Sequence, residues 1–269
     1  MHAEELRAGL VLWPEPSNVT CVHGLGGFVK ADASSSFRIS NGPLSGYSRR
    51  VPIYKYLSQE SFALDFIHKG RMKFDTLAYF RAYEDEQVRG DPDDGKLVAA
   101  PAAGLQINRE SGPEIWPGWR FEASVKAEDL FVFCLSRERS EKLAVEFNSP
   151  FCVEVINPIS LVSRVSASVK LRSKFHRERV YHQVIDYRPP DAPPKGDWAL
   201  TEKLAFIKPT SFQRQDEYRI VIGKKGAFEV YNGEYRLTTG PGERPPPAQS
   251  SPLFLTVGSL KRVTQLHRF

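Results

Sequence analysis

The chain has 269 residues, of which 41% are apolar and 26% charged, and its formal net charge is +5. These values are ordinary for a folded globular protein, so disorder, collagen and coiled coil are excluded as global descriptions. No run approaches the roughly 18 apolar residues of a membrane-spanning helix, and the N-terminus lacks the basic leader and apolar core of a signal peptide. The three cysteines form no CxxC pair and the six histidines no HxH or HxxxH pair. We therefore expect a cytoplasmic protein with no membrane partner and no metal site.

The composition divides the chain into three parts. Residues 1–50 are rich in glycine, serine and proline without sustained periodicity, which predicts an N-terminal extension of loops and short strands. Residues 51–239 contain the alternating and helical apolar patterns of a folded core. Residues 240–269 begin with a proline-rich loop and continue with two alternating stretches, so we expect C-terminal strands there.

The best-defined elements form a strand–helix–strand unit at the start of the core. Residues 51–57 are β-branched and aromatic, which predicts a strand. Ser58 is a candidate N-cap for a helix over 59–69, and Gly70 stands where a left-handed residue would end that helix. A strand over 71–75 follows. The charged stretch over 77–95 then predicts a short helix and a polar loop.

The later elements are mostly strands, joined by proline-rich connections. One helix is predicted over 199–207, and a hairpin turn over 223–226. Strands are predicted over 130–136, 150–156, 180–187, 218–222, 254–257 and 260–266. The order of elements indicates an α+β fold with much antiparallel sheet.

Positive charge is concentrated in one segment of the chain. Residues 161–188 contain seven basic and two acidic residues. The net charge of this segment, +5, equals that of the whole chain. Aromatic and histidine residues interrupt this segment, so it could hold a phosphate backbone with rings left for stacking. The alternative is a solvated face that keeps the protein soluble. The residues assigned to nucleic-acid binding are Lys170, Arg172, Lys174, Arg177 and Arg179.

Six carboxylates lie within the eleven residues over 84–94. Asp94-Gly-Lys96 matches the D-x-K half of a nuclease site, and a cluster of acids could gather a divalent metal. A nuclease needs carboxylates projected from neighbouring strands, whereas these acids are nearly consecutive in a turn-rich stretch, so a solvated loop is the default interpretation. The acids are Glu84, Asp85, Glu86, Asp91, Asp93 and Asp94.

A Gln-x-Glu step, Gln215-Asp-Glu217, leads into the predicted strand over 218–222. On the pattern alone, Gln215 and Glu217 face the solvent side of that strand, while Tyr218 and Ile220 face the core.

The letters YKYLS, VFCLS and EYRI occur in order with this step, over residues 51–223. This ordered set resembles an uncharacterised bacterial family associated with phage defence and, more distantly, the ADP-ribosyltransferases. The resemblance implies an ADP-ribosyltransferase-like core over 51–239, with Glu217 as the catalytic glutamate and Gln215 orienting the acceptor. It also implies that Ser136 supports a nicotinamide pocket. Tyr54, Lys55 and Tyr56 stand at the first-strand position, where the enzymes carry Arg or His.

The function implied by this resemblance is transfer of ADP-ribose from NAD to a macromolecule. Glu217 would stabilise the positive charge that develops on the ribose, as in glycoside hydrolysis. Tyr54 or Tyr56 would stack on nicotinamide, and Lys55 or Arg81 would contact the pyrophosphate. The acceptor would be RNA, DNA or protein, in a toxin or antiviral defence setting with an antitoxin as partner.

Two other functions stay open at this point. A non-catalytic nucleic-acid-binding or sensor protein of the same fold would account for the basic segment without the chemistry. A metal-dependent nuclease would use the acidic residues over 84–94.

Overall fold

The computed structural model describes residues 51–82, 93–109, 111–192, 196–229, 233–240 and 251–269. The extension predicted over 1–50 lies outside these ranges, as do four of the acidic residues, Glu84, Asp85, Glu86 and Asp91. Within the described ranges, no helix is both long and apolar enough to cross a membrane.

The described residues form an α+β fold in which most strand pairs are antiparallel. The helices are α1 Glu60–Lys69, α2 Leu77–Ala82, α3 Glu141–Glu146, α4 Pro158–Lys170 and α5 Thr201–Leu204. The strands are β1 Ile53–Leu57, β2 Arg71–Thr76, β3 Lys96–Ala99, β4 Leu105–Arg109, β5 Gly112–Trp116, β6 Arg120–Val125, β7 Leu130–Ser136, β8 Phe151–Val155, β9 Phe175–Val184, β10 Asp186–Arg188, β11 Ile207–Pro209, β12 Glu217–Lys224, β13 Gly233–Thr238, β14 Leu253–Thr256 and β15 Thr264–Arg268.

An eight-stranded sheet organises the molecule, with the order β14-β2-β7-β1-β8-β15; β12 branches from β7, and β9 pairs with β12. One edge of β7 pairs with β12 over its whole length. The other edge is shared, because β1 pairs with it at Ser136 and β2 pairs with it at Val132 and Phe131. Between these two pairings the sheet opens, and residues 133–135 of β7 lie at the opening.

Both faces of this sheet are buried, which explains the nearly continuous apolar runs of its central strands. On one face α1 and α4 pack over a core that contains Tyr218, Ile220 and Ile222 of β12. On the opposite face, Val221 belongs to a second core with residues of β3, β6 and α5. The side chains of β12 alternate between these two cores, so any charged residue on this strand must be paired inside the protein.

The helix predicted after the first strand is confirmed, and its end depends on Gly70. The helix begins at Glu60 with Gln59 at the N-cap position, and no side chain caps it, so the expected role of Ser58 is not fulfilled. Gly70 has φ +64, as the left-handed end requires. A Cβ added to Gly70 would lie 2.2 Å from the Gly258 carbonyl oxygen, so a larger residue would also push away the connection between β14 and β15.

Two predictions about later elements were wrong, and one helix was not predicted. The helix predicted over 199–207 is only the single turn α5, because the chain extends again as β11, which pairs in parallel with β10. The hairpin predicted at 223–226 does not form, because β13 pairs with β6 and not with β12. Helix α4 is the element that was not predicted; Asn157 caps it by accepting from the Ser160 N–H, and Pro158 occupies its first turn.

The strands of the C-terminal segment belong to the large sheet. Strand β14 pairs with β2, and β15 pairs with β8. The two therefore extend the sheet formed by residues 51–239 along two different edges. Residues 241–250 of the proline-rich loop lie outside the described ranges.

Candidate functional site

Three residues singled out from the sequence align across adjacent strands. Tyr54 of β1 lies opposite Ser136 of β7, and Ser136 lies opposite Glu217 of β12. Opposed residues of antiparallel strands project to the same face of a sheet. The three side chains therefore share one face and one level, at the point where the sheet opens.

A cleft of about 610 Å³ occupies this opening, a volume within the range of roughly 300–1,000 Å³ usual for small-molecule sites. Residues 132–136 of β7 line its floor. Side chains of β1 and α1 line one wall, and side chains of β2 and α2 line the other. Glu217, Gln215 and Lys208 also border it, so the Gln-x-Glu step opens onto the cleft.

The carboxylate of Glu217 is buried and held by two cations. Arg219 donates from Nε to Oε1 at 2.5 Å and from Nη2 to Oε2 at 3.2 Å, and Lys208 donates from Nζ to Oε2 at 3.1 Å. Burial alone would raise the pKa of Glu217, but the charges of Arg219 and Lys208 outweigh it and hold the pKa well below its usual range. Glu217 is therefore ionised at neutral pH.

Arg219 is fully buried and uses all five of its N–H donors. Besides Glu217, it binds Asp94 through two parallel bonds of 2.6 and 2.8 Å, and it donates to the Ala205 carbonyl at 2.9 Å. A buried guanidinium is tolerated only when it is paired and hydrogen-bonded in this way. Burial would lower the pKa of Arg219, but Asp94 and Glu217 raise it well above its usual value.

The Asp94-Gly-Lys96 segment is part of this network. Asp94 is fully buried and its carboxylate is bound by Arg219, while Lys96 contacts Asp93 at 3.2 Å. Among the residues that the structure describes, no three His, Cys, Asp or Glu side chains are grouped closely enough to hold a metal ion. Asp93 and Asp94 therefore contribute to ion pairs here.

Arg81, which was expected to contact pyrophosphate, holds the turn at Asp94. Its Nε donates to the Asp94 carbonyl at 2.7 Å and its Nη2 donates to the Gly95 carbonyl at 3.3 Å. The side chain is buried and is absent from the residues that border the cleft. Burial lowers the pKa of Arg81, and the nearby Asp94 charge opposes that effect. Its contacts are those of a structural residue that fixes the 93–96 turn.

The Gln-x-Glu step is not a regular strand, so the expectation that both side chains face solvent was wrong. Gln215 ends a short 3-10 segment, Asp216 has φ 40 and ψ 54, and β12 begins only at Glu217. Gln215 and Glu217 are 6% and 4% exposed, and both accept from Lys208. A left-handed non-glycine residue costs about 1–3 kcal/mol and persists only where its surroundings hold it. Arg137 holds Asp216, donating from its backbone N–H to the Asp216 carbonyl at 2.8 Å and from Nε to its carboxylate at 2.9 Å.

Ser136 braces the same turn. Its hydroxyl donates to the Gln215 carbonyl at 2.9 Å and accepts from the Glu138 N–H at 3.1 Å. On the other side, the N–H of Glu217 donates to the Tyr187 hydroxyl at 2.9 Å. These bonds fix the backbone at both ends of the step, and so they fix the positions of the Gln215 and Glu217 Cα atoms.

The three first-strand residues have different surroundings, although all border the cleft. Tyr54 lies in the row with Ser136. Lys55 projects to the other face, where its Nζ donates to the Cys134 carbonyl at 2.9 Å and lies 4.4 Å from the centre of the Phe133 ring. The Tyr56 hydroxyl donates to the Glu138 carbonyl at 2.9 Å, and burial raises the pKa of Tyr56 to about 12.

Cys134 borders the cleft, as Glu217 does. Burial, and then the Glu217 charge, raise the pKa of the Cys134 thiol far above its ordinary value. Because the thiolate is the reactive form of cysteine, this thiol is unsuited to act as a nucleophile.

The interpretation of the sequence missed Lys208, Arg219 and Asp94, which carry most of the charge around Glu217. Arg219 and Lys208 both interrupt apolar runs, and a charged residue inside a buried strand signals an internal partner. That signal was available for Arg219, which stands between Tyr218 and Ile220. Nothing in the sequence identified Asp94 as its partner, because the two are far apart along the chain.

The five basic residues assigned to nucleic-acid binding lie away from Glu217. Phe175, at the start of β9, pairs with Lys224 at the end of β12, whereas Glu217 begins that strand. Seven residue steps of about 3.3 Å separate the two ends of β12 by roughly 23 Å. Arg179 lies 3.8 Å from Glu229. Four others are exposed and have no carboxylate partner among the described residues: Lys170, Arg172, Lys174 and Arg177.

Comparisons of the chain with protein-family models, with curated proteins and with solved structures find no match in any of the three. The function is therefore argued from the cleft and the residues that border it.

Proposed function

We propose that this protein is an NAD-dependent ADP-ribosyltransferase with the corresponding fold, and that it modifies RNA or DNA as a toxin or antiviral defence effector. The observation that carries the proposal is the row formed by Tyr54, Ser136 and Glu217 at the opening of the sheet. These are the positions at which the resemblance to ADP-ribosyltransferases expects the nicotinamide pocket and the catalytic glutamate. The strand register brings these three positions together on one face, which supports the proposal.

The cleft offers suitable groups for NAD. The ring of Tyr54 would stack on nicotinamide, and the ammonium group of Lys55, which also borders the cleft, would contact the pyrophosphate. Ser136, which is committed to the turn at Gln215, would support the pocket through the backbone. Arg81 is excluded from this role by its burial and its bonds to two carbonyls.

The reaction breaks the bond between C1′ of the ribose and N1 of nicotinamide. Nicotinamide leaves with the bonding electron pair, which neutralises its ring charge, and C1′ takes on oxocarbenium character. An acceptor oxygen or nitrogen then bonds to C1′ and loses a proton to solvent. The ionised Glu217 would accept a hydrogen bond from the ribose 2′-hydroxyl and stabilise the developing positive charge.

The hydrogen bonds around Glu217 indicate where that hydroxyl would bind. An ionised carboxylate has about four acceptor positions. Arg219 takes two and Lys208 takes one. The remaining position would accept a hydrogen bond from the ribose 2′-hydroxyl, with the two cations left in place.

Gln215 would orient the acceptor. Its Oε1 accepts from Lys208 at 3.2 Å, and because an ammonium group only donates, this contact directs the amide nitrogen away from Lys208. Because the Gln215 amide is neutral, it would orient an acceptor without adding charge near C1′.

A second candidate is a non-catalytic nucleic-acid-binding protein of the same fold. The observation that favours it is the pairing of Glu217 with both Arg219 and Lys208. Two cations reduce the negative potential that an oxocarbenium ion needs. This candidate predicts nucleic-acid affinity that depends on salt and does not depend on the Glu217 charge.

The test is incubation of purified protein with labelled NAD and separate RNA, DNA and cell-protein fractions. Wild type should transfer label and release nicotinamide, and Glu217→Gln should do neither. Because Glu217→Gln leaves Asp94 as the one carboxylate facing the buried Arg219 and Lys208 among the pairs described, Tyr54→Ala is used as a second variant in a less buried position. Glu229→Gln, a carboxylate beyond the far end of β12, is the matched control and should behave as wild type. Absence of transfer and of NAD cleavage by folded wild type in every fraction would contradict the proposal.

A further inference from the structure

We propose that a single-stranded nucleic acid binds along a surface track that runs from the turn between α4 and β9, over Phe254, to the mouth of the cleft. The identification of this strand as the acceptor rests on the proposed function; the binding itself does not. The track consists of Arg71, Lys73, Lys170, Arg172, Lys174 and Phe254.

The turn between α4 and β9 forms one end of the track. Lys170, Arg172 and Lys174 are all exposed there and have no carboxylate partner in the part of the chain that is described. Elsewhere, many exposed basic residues are neutralised, such as Arg214 by Glu146 at 2.7 Å. Several uncompensated cations on one turn create a positive potential that attracts a polyanion.

Strand β14 joins this turn to the cleft. The Arg172 guanidinium donates to the Phe254 carbonyl at 2.9 Å, and Ser168 of α4 donates to the Thr256 carbonyl at 3.1 Å. Phe254 pairs with Lys73 of β2, and the Arg71 guanidinium lies 5.2 Å from the centre of the Phe254 ring. Phe254, Arg71 and Lys73 also border the cleft. The charged turn and the cleft mouth are therefore continuous.

The chemistry of the track fits a single strand better than a duplex. The Phe254 side chain is 44% exposed, and an exposed ring flanked by cations gives an unpaired base a surface on which to stack. In a duplex the bases are already stacked and paired, so the ring would contribute little. Asp65 pairs with Arg71, and Asp75 pairs with Lys73. The track therefore has five cations in total, and two carboxylates oppose them. A phosphate backbone matches this excess of positive charge.

The geometry also sets a minimum length for the strand. The turn lies near the end of β12 opposite to Glu217, about 23 Å away along the strand. A stacked single strand advances about 3.4 Å per nucleotide. A strand that contacts the turn and also places a nucleotide beside Glu217 therefore needs about seven nucleotides, and a trinucleotide is too short.

Binding is tested without NAD, by fluorescence anisotropy of a labelled 15-residue oligothymidylate at low salt. The double variant Arg172→Glu with Lys174→Glu should bind at least tenfold more weakly, and Phe254→Ala about tenfold more weakly. The control is Lys126→Glu with Lys203→Glu, which makes the same charge change at exposed lysines outside the track and should stay within about threefold of wild type. The slope of log K against log salt should fall in magnitude by about 1.4 in the track variant, for two lost phosphate contacts.

Equal weakening by the track and control pairs would overturn the proposal, because it would show a response to net charge alone. It would also be overturned if a 15-base-pair duplex bound as tightly as the single strand, or if polyglutamate competed as well as oligothymidylate. The proposed function fails separately. If the protein binds the oligonucleotide through the track and never cleaves NAD, this inference holds and the enzyme assignment fails. If the protein modifies only protein and the track variants are fully active, the enzyme assignment holds and this inference fails.

Discussion

Arg219 binds Asp94 through two parallel hydrogen bonds at a point where neither side chain reaches solvent. The pair connects the turn at 93–96 to the first residues of β12, and Arg219 continues the connection to Glu217. The position of the proposed catalytic carboxylate is thus set by an aspartate from a different part of the chain. Asp94 acts on Glu217 only through the guanidinium.

Loss of Asp94 should therefore be costly. We expect Asp94→Ala to lower the free energy of unfolding by about 3–5 kcal/mol, because it leaves a buried guanidinium partly uncompensated. The neighbouring Asp93→Ala removes a more exposed pair with Lys96 and should lower it by less than about 1 kcal/mol. Urea unfolding of both variants measures the difference, and similar losses in the two would contradict the buried network.

The titration of Glu217 predicts how stability depends on pH. Its pKa is held below the usual range in the folded state, so the folded form binds fewer protons than the unfolded form over this interval. Its contribution is full above the unfolded pKa of about 4.3 and is lost as the pH falls from there through the folded pKa. Urea unfolding between pH 3 and pH 7 should show a smaller fall in stability for Glu217→Gln than for wild type. Parallel curves for the two proteins would contradict the depressed pKa.

Replacement of Lys208 should change the pH profile of activity. Lys208→Met removes one of the two cations that stabilise the ionised Glu217, so the pKa of Glu217 should rise towards its ordinary range. We expect NAD cleavage by this variant to decline at a higher pH, on the acidic side, than cleavage by wild type. Lys224→Met, at the far end of β12 and paired with Asp129, is the matched control, and a change in its profile as large as that of Lys208→Met would argue against a local effect.

The thiol of Cys134 should resist alkylation although it borders the cleft. Its raised pKa keeps it protonated, and the thiolate is the form that reacts. Iodoacetamide at pH 8, followed by mass spectrometry of the peptide that contains residue 134, should show little modification of folded protein and full modification in urea. Bound NAD should leave this result unchanged. Rapid labelling of the folded state would mean that Cys134 is not held in the environment described.

The sequence predicted the parts of the fold that depend on local patterns. The strand over 130–136 and the left-handed Gly70 are confirmed, because apolar periodicity and the glycine requirement are properties of neighbouring residues. Helix α4 was missed although Asn157 and Pro158 are a recognisable start, because its serines and β-branched residues weaken the helical signal. The pairing of β13 with β6 joins distant segments, and local patterns contain no information about such a partner.

The candidate site shows the same division. Ser136 and Glu217 were singled out through the resemblance to ADP-ribosyltransferases, and the structure places them opposite each other on paired strands. Arg81 was placed wrongly because its charge suggested a ligand, whereas its burial and its bonds to two carbonyls are properties of the tertiary structure. The left-handed Asp216 explains why an alternation rule failed at Gln215.

The pairing of β14 and β15 with strands made much earlier has a consequence for synthesis. A nascent chain that has emerged as far as β13 still lacks a neighbour on one edge of β2 and on one edge of β8. Phe254, which borders the cleft, is also absent at that stage. The sheet therefore closes late, after contacts of high sequence separation have formed. Chains released at residue 252 should be cut rapidly by protease under conditions in which the complete chain resists, so the cleft should form completely only after translation has passed that point.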